Sequence, residues 1–224
     1  WRFTSAPEWL LKADRKRLIN ESDVTFLCLP DDAARESVAL VADGLVAVDT
    51  KIAANSITGY SGGGKSMIAH YASPARIDAP RPYALGLEHK HLPEMQAYTG
   101  LTAAPIFQPI VGPFYKGLAV TVYLHPRQFT RKAGPADVRK LLADYYAGEP
   151  FIRIALVDLE ANTDGGFFNV EASNDSNRVD LFVFGNAERM LLVARLDNLG
   201  KGASGAAVQA MNVHLGVEES RGLV

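Results

Sequence analysis

The sequence is poor in the features that mark specialised environments. It has one cysteine, Cys28, in 224 residues, so no disulfide can form within the chain. That usage suits a reducing compartment, and we expect a cytoplasmic protein. Neither sign of charge dominates: 23 Lys and Arg stand against 25 Asp and Glu, a net charge of −2. Charge therefore gives no reason to expect a nucleic-acid or membrane-surface partner. No apolar run approaches the roughly 20 residues of a membrane-spanning helix. No apolar signal segment follows Trp1, which stands where an initiator Met would. Internal repeats and low-complexity tracts are missing too. What remains, 48% hydrophobic and 21% charged, is an ordinary globular composition, long enough for one large or two small domains.

Glycine is what the chain does have, and it is concentrated. Thr58-Gly59-Tyr60-Ser61-Gly62-Gly63-Gly64-Lys65-Ser66 follows a strand-like run at 52–57 and precedes a helix-like run at 67–71. Glycines permit a tight turn whose N–H groups converge on an anion, and a helix start adds further donors and a positive dipole end. Gly59 to Ser66 also fits the P-loop spacing for nucleoside triphosphates. That reading needs a sustained helix, and Pro74 closes this one early. A glycine turn without a ligand is the third reading.

The rest of the chain is expected to alternate as follows. Residues 10–20 read as a basic, partly amphipathic helix, 23–29 as a buried strand ended by Pro30, 33–42 as a helix capped by Asp31 or Asp32, and 45–48 as a second buried strand. That is the β-α-β unit of a parallel sheet, the later part of a dinucleotide-binding fold. At Thr50-Lys51 two strand-like runs meet with no turn residue between them: one long strand, or a place from which a segment is gone. Strands are expected at 106–111, 117–123, 151–156, 179–184 and 190–196, with helices at 92–98, 138–146 and 200–211 and an irregular loop at 73–82. Runs of strands with few helices predict an α+β unit with a mixed, largely antiparallel sheet.

Three places carry chemistry. Cys28 lies inside an apolar strand-like run and reads as an inert core thiol. His89 and His91 flank Lys90, just before Pro93 and Glu94 open a helix. A histidine there, beside a lysine and a glutamate, suits proton transfer near neutral pH, and a surface pair is the plain alternative. If the segment is extended, His91 faces the site and His89 the other way. Two histidines are too few for a metal centre, and none is expected. The third place is a second glycine-rich turn from strand to helix, Asp197 to Gln209, whose small residues allow close approach of a backbone or a flat ligand.

Together these stretches resemble the N-acetyl-γ-glutamyl-phosphate reductase family, in its shorter-chain branch. The resemblance rests on Phe26-Leu27-Cys28-Leu29-Pro30-Asp31-Asp32-Ala33-Ala34, Val48-Asp49-Thr50, the first glycine turn, His89-Lys90-His91-Leu92-Pro93-Glu94, Leu181 to Gly185, and Asp197 to Gln209, in the family's order. It implies an incomplete Rossmann-type dinucleotide-binding domain (1–50), a glyceraldehyde-phosphate-dehydrogenase-like catalytic and oligomerisation domain (51–196), and a C-terminal helix returning to the first domain (197–224). It implies reduction of an acyl phosphate by NADPH, with His91 as acid/base, in a homo-oligomer. It carries substrate binding onto Ser61, Gly62, Lys65, Lys90 and Glu94, and NADP binding onto Pro30, Asn198, Gly200, Gly202, Ser204 and Gly205. Two family segments have no counterpart: the N-terminal glycine fingerprint, and the Asn-Pro-Gly-Cys-Tyr-Pro stretch with the nucleophile, which would fall between Thr50 and Lys51. Cys28 does not match that nucleophile. A non-catalytic remnant retaining only oligomer contacts, and a P-loop nucleotide binder, are the rival expectations.

Overall fold

The computed structural model describes residues 39–224. The expected helix at 10–20, the strand at 23–29, Cys28, the helix start and cap near residue 31, and Pro30 as a cofactor residue lie outside the described residues. Seven strands form one mixed sheet: β1 (Ala53–Gly59), β2 (Arg81–Pro82), β3 (Ile106–Gly112), β4 (Leu118–Leu124), β5 (Ile152–Ile154), β6 (Val179–Gly185) and β7 (Met190–Leu196), in the order β2-β3-β1-β4-β7-β6-β5. β1 runs parallel to β3 and β5 to β6; the other four pairings are antiparallel. The helices are α1 (Gly64–Tyr71), α2 (Leu92–Thr99), α3 (Pro135–Tyr145), the short α4 (Leu159–Asn162) and α5 (Gly205–His214), the last entered through a π-helical turn at Gly200–Ser204.

Strand alternation divides the sheet into two faces. Val120, Val122, Leu181, Val183, Leu192, Ala194 and Leu196 point to one face and are buried, with Val138 and Leu142 of α3 packed among them. Each of these valines and leucines contributes about 1.5–3 kcal/mol by leaving water. Pro135 at the start of α3 and the Asp137 carboxylate on the Gly134 N–H (2.8 Å) fix where that helix begins. The opposite face buries less: Ala119, Phe182 and Val193 lie under Phe168 and Val170, while Tyr123, Leu191 and Ile106 stay exposed. Arg195 crosses this face with its guanidinium over the Phe168 and Phe182 rings and bonded to the buried Asp180 carboxylate at 3.0 Å.

The run at 45–48 is not the expected strand. Leu45 and Val46 are buried, but Val46 makes only an isolated bridge to Phe129. Its main-chain groups are taken elsewhere: Val46 N–H bonds Leu40 O, and Leu45 O accepts from Thr130 N–H at 2.9 Å. Nor does one long strand cross the Thr50-Lys51 join, because Thr50 N–H bonds Ala47 O and closes a turn. The loop at 73–82 contributes strand β2, paired with β3 across Arg81 and Val111.

Candidate active site

A cavity of about 810 Å³ opens on the core-side face of the sheet, at the end away from α3. Its floor is Ser56, Thr58, Phe107, Val111, Leu118 and Val120. These share one face because β1 registers Ser56 with Val120 and Thr58 with Val111. The walls are the first glycine turn with Met67 and Tyr71 of α1, residues 81–84 and 88–91, and four residues of the second glycine turn.

The glycine turn is shaped by the loop at 114–117. A Cβ on Gly59 would lie 2.5 Å from Tyr115 O and 2.6 Å from Lys116 N, so only glycine lets that loop press against the end of β1. Gly59, Tyr60 and Ser61 donate their N–H groups to Gly117, Phe114 and Tyr115 carbonyls at 2.9, 2.9 and 3.0 Å. This corrects part of the expectation that the turn's donors converge on an anion, since these three are committed to protein. Gly62, Gly63 and Gly64 line the cavity. Gly64 at φ +71° turns the chain into α1, which ends at Tyr71. Lys65 is exposed and is not part of the cavity wall. The sustained helix and inward lysine of a P-loop are therefore not what this turn carries.

His91 is 7% exposed and its Nδ1 lies 2.7 Å from Glu94 Oε2. Pro93 near the start of α2 and the Met95 N–H bond to His91 O hold the residue at the helix entrance. With Nδ1–H donating to the carboxylate, Nε2 is the ring atom free to exchange a proton. His89 does not face away as expected: both histidines line the cavity, with ring centroids 5.0 Å apart. The segment is a turn, with Leu92 N–H bonded to His89 O and His91 near helical angles, so strand alternation does not apply. His89 Nδ1 accepts from His91 N–H at 3.3 Å, which puts the neutral ring's proton on Nε2, 3.4 Å from the Tyr83 hydroxyl. Burial, then His91 and Lys90, hold the His89 pKa below its ordinary value, and burial pushes that of Tyr83 up. Lys90, between the histidines, also lines the cavity.

In the second glycine turn the residues divide. Asn198, Leu199, Gly202 and Ala203 face the cavity. Gly200 and Gly205 spend their missing Cβ on protein: a methyl there would meet Ser176 O at 2.9 Å and Asn177 Oδ1 at 2.2 Å. Ser204 is exposed and its hydroxyl bonds Leu199 O at 2.8 Å. Asn198 donates from Nδ2 to Ser61 Oγ at 3.0 Å and accepts Gly117 N–H at 2.7 Å. Asp197, 2% exposed, anchors the turn: it accepts from the N–H groups of Asp175 and Leu199, each at 2.8 Å, and lies 3.5 Å from Lys116 Nζ. Sequence reasoning missed Arg81 and Tyr83 in the wall, because the proline-rich 73–82 segment carries no strand pattern; β2 pairs Arg81 with Val111 of the cavity floor, and the Tyr83 N–H bond to Pro109 O holds the next residue alongside β3.

Residues 28–198 match the semialdehyde dehydrogenase dimerisation domain family. The chain is 36% identical to N-acetyl-gamma-glutamyl-phosphate reductase 2 of Nostoc sp., over 94% of this chain and 87% of that protein. It is 30% identical to the Pseudomonas putida protein of the same name, over 99% and 91%. The Nostoc alignment runs over 279 positions against a 224-residue chain, so it contains about 70 positions that this chain does not fill. Among solved structures, aspartate semialdehyde dehydrogenase II from Vibrio cholerae superposes with a TM-score of 0.61 at 17% identity, over 84% of this chain and 61% of that one. A probable aspartate-semialdehyde dehydrogenase from Pseudomonas aeruginosa gives 0.62 at 15% identity, over 89% and 65%. The chain thus spans less than two thirds of the length of those structures and shares their fold. On its relatives and its matched domain, the chain belongs to the N-acetyl-γ-glutamyl-phosphate reductase family of the semialdehyde dehydrogenases.

Proposed function

We propose that the cavity takes N-acetyl-γ-glutamyl phosphate and that His91 moves the proton in its NADPH-dependent reduction to N-acetylglutamate semialdehyde, a step of arginine biosynthesis in the cytoplasm. The observation that carries this reading is that the buried His91, its Nδ1 on the half-buried Glu94 behind it, lines one cavity with the first glycine turn. Ser61 and Gly62 receive the phosphoryl end, and Lys90 offsets the charge of the substrate carboxylate. Glu94 holds Nδ1, so that Nε2 of His91 delivers a proton to the carbonyl oxygen as it gains charge. Lys65 has no part in this reading, since it lies off the cavity wall.

Gly202 and Ala203 add little side-chain bulk beside Leu199, so this wall suits a flat ring and would hold a nicotinamide, with Asn198 fixing the turn that carries it. NADPH supplies a hydride there when bound. Gly200, Ser204 and Gly205 shape the turn from behind. Acyl transfer from the phosphate needs a thiolate, and in this family the thiol lies in a segment for which the chain has no match between Thr50 and Lys51. We assign that segment to the unfilled alignment positions. The same observation favours a second reading, a non-catalytic remnant that keeps only its oligomer contacts. A homo-oligomer fits both: Tyr123 and Leu191 are register partners on the exposed sheet face, beside exposed Ile106 at its far side.

The test is titration of the 224-residue chain with N-acetyl-L-glutamate, followed by the ring signals of His89 and His91. Saturable binding that moves both rings, weakened in Lys90→Ala, supports the substrate site. A chain that dimerises but shows no binding is the remnant.

A further inference from the structure

We infer that Asn198 is a positioning residue: it aims the Ser61 hydroxyl at the bound ligand and ties the two glycine turns together. This rests on the reading of the cavity as an acyl-phosphate site. Ser61 is 5% exposed, and its main-chain N–H is fixed on Tyr115 O. The Asn198 amide is oriented without ambiguity, because its oxygen accepts Gly117 N–H at 2.7 Å, which leaves Nδ2 to donate to Ser61 Oγ at 3.0 Å. A hydroxyl has one donor and two acceptor sites. One acceptor site of Ser61 is filled by Asn198, and no acceptor among the described residues takes its O–H. Ser61 lies on the cavity wall, so the O–H is left for an oxygen of the ligand. Both ends of the Asn198 amide are thus spent on protein, and the residue acts on ligand through Ser61 rather than by contact of its own.

Asn198→Asp separates the two bonds. Its carboxylate still accepts Gly117 N–H, but its second oxygen cannot donate, so the Ser61 O–H swings toward it and away from the ligand. Calorimetric titration with N-acetyl-L-glutamate at pH 7 compares the unmodified chain, Asn198→Asp, Ser61→Ala and the double variant. Each single variant is expected to bind about tenfold more weakly, the worth of one hydrogen bond to a charged group. The double variant is expected to bind no more weakly than Ser61→Ala. Simple repulsion between the new carboxylate and the ligand would add to the Ser61→Ala loss, so additive losses overturn the inference, as does unweakened binding by Asn198→Asp. Should Asn198→Asp not fold, Ser61→Ala serves alone: it is expected to shift the Asn198 side-chain amide signals of the free protein, and unchanged signals overturn the inference. Absence of saturable binding to the unmodified chain overturns the functional reading, and this inference with it.

Discussion

Two residues, His89 on the cavity wall and Asp197 behind it, carry charge-dependent consequences that separate their roles. His89 is held neutral by burial and by His91 and Lys90, so the unfolded chain binds its proton more readily than the folded one. Stability is therefore lost as pH falls from about 6.5 toward the lower folded value. We expect the melting temperature to drop more between pH 7.5 and 5.5 in the natural sequence than in His89→Asn; equal drops would remove the argument. For Asp197, burial pushes the pKa up, but the N–H groups of Asp175, Leu199 and Gly200 and the Lys116 charge outweigh it and hold it below the ordinary value. Its contribution is present above the unfolded pKa and fades as pH falls through the folded one. Asp197→Asn is expected to cost about 1.5–3 kcal/mol at pH 7, measured by urea unfolding. At this scale the sequence revealed His91, whose neighbours Pro93 and Glu94 announce a helix start. It concealed His89, because side-chain direction in a turn does not follow the alternation of a strand. Asn198 was expected near the cofactor only through the family resemblance, and its bond to Ser61 spans residues too far apart in sequence for any local pattern to show.

At the scale of elements, the strands with clear alternation or unbroken apolar runs appear close to where the pattern puts them: 190–196 is β7, and 179–184 is β6 with one more residue. The strand expected at 151–156 shortens to β5 (Ile152–Ile154), and the run at 45–48 is no strand at all, though its hydrophobicity is genuine. Leu45 and Val46 are buried in the same core, but hydrogen bonds to Leu40 and Thr130 leave no ladder to join. Hydrophobic patterning reports burial, and it reports strand only where a partner edge is available. The first glycine turn was legible as a turn, while its reliance on the 114–117 loop was not. Gly59→Ala places a methyl against fixed main chain, and we expect a loss of about 3 kcal/mol in urea unfolding; a loss near zero would mean that the loop can retreat. Because Lys65 lies outside the cavity and α1 is only eight residues long, titration with a fluorescent ATP analogue and magnesium is expected to show no saturable binding. Micromolar binding lost in Lys65→Ala would restore the P-loop reading.

For the whole molecule, the mixed sheet places the first glycine turn at the end of β1, the histidine pair on the β1–β3 crossover and the second glycine turn after β7, and folds all three over one cavity. Their common destination was readable only through the family resemblance, since no periodicity links segments so far apart. The exposed face behind the cavity carries Tyr123 against Leu191, and a charge there is incompatible with a buried interface. Leu191→Asp is expected to convert a dimer to monomer in sedimentation experiments without lowering its melting temperature at low concentration by more than a few degrees. We propose that residues 51–224 hold the acid/base and substrate half of an acyl-phosphate reductase whose thiol lies in a segment this chain lacks. The most direct test is a chimera joining the part of the Nostoc relative that precedes the counterpart of Lys51 to residues 51–224, assayed for phosphate-dependent reduction of NADP by N-acetylglutamate semialdehyde. The chimera is expected to turn over, to lose about a hundredfold or more in His91→Asn, and the 224-residue chain to show no turnover. An inactive but folded chimera, an unaffected His91→Asn, or turnover by the 224-residue chain that survives Cys28→Ser would contradict this assignment of roles.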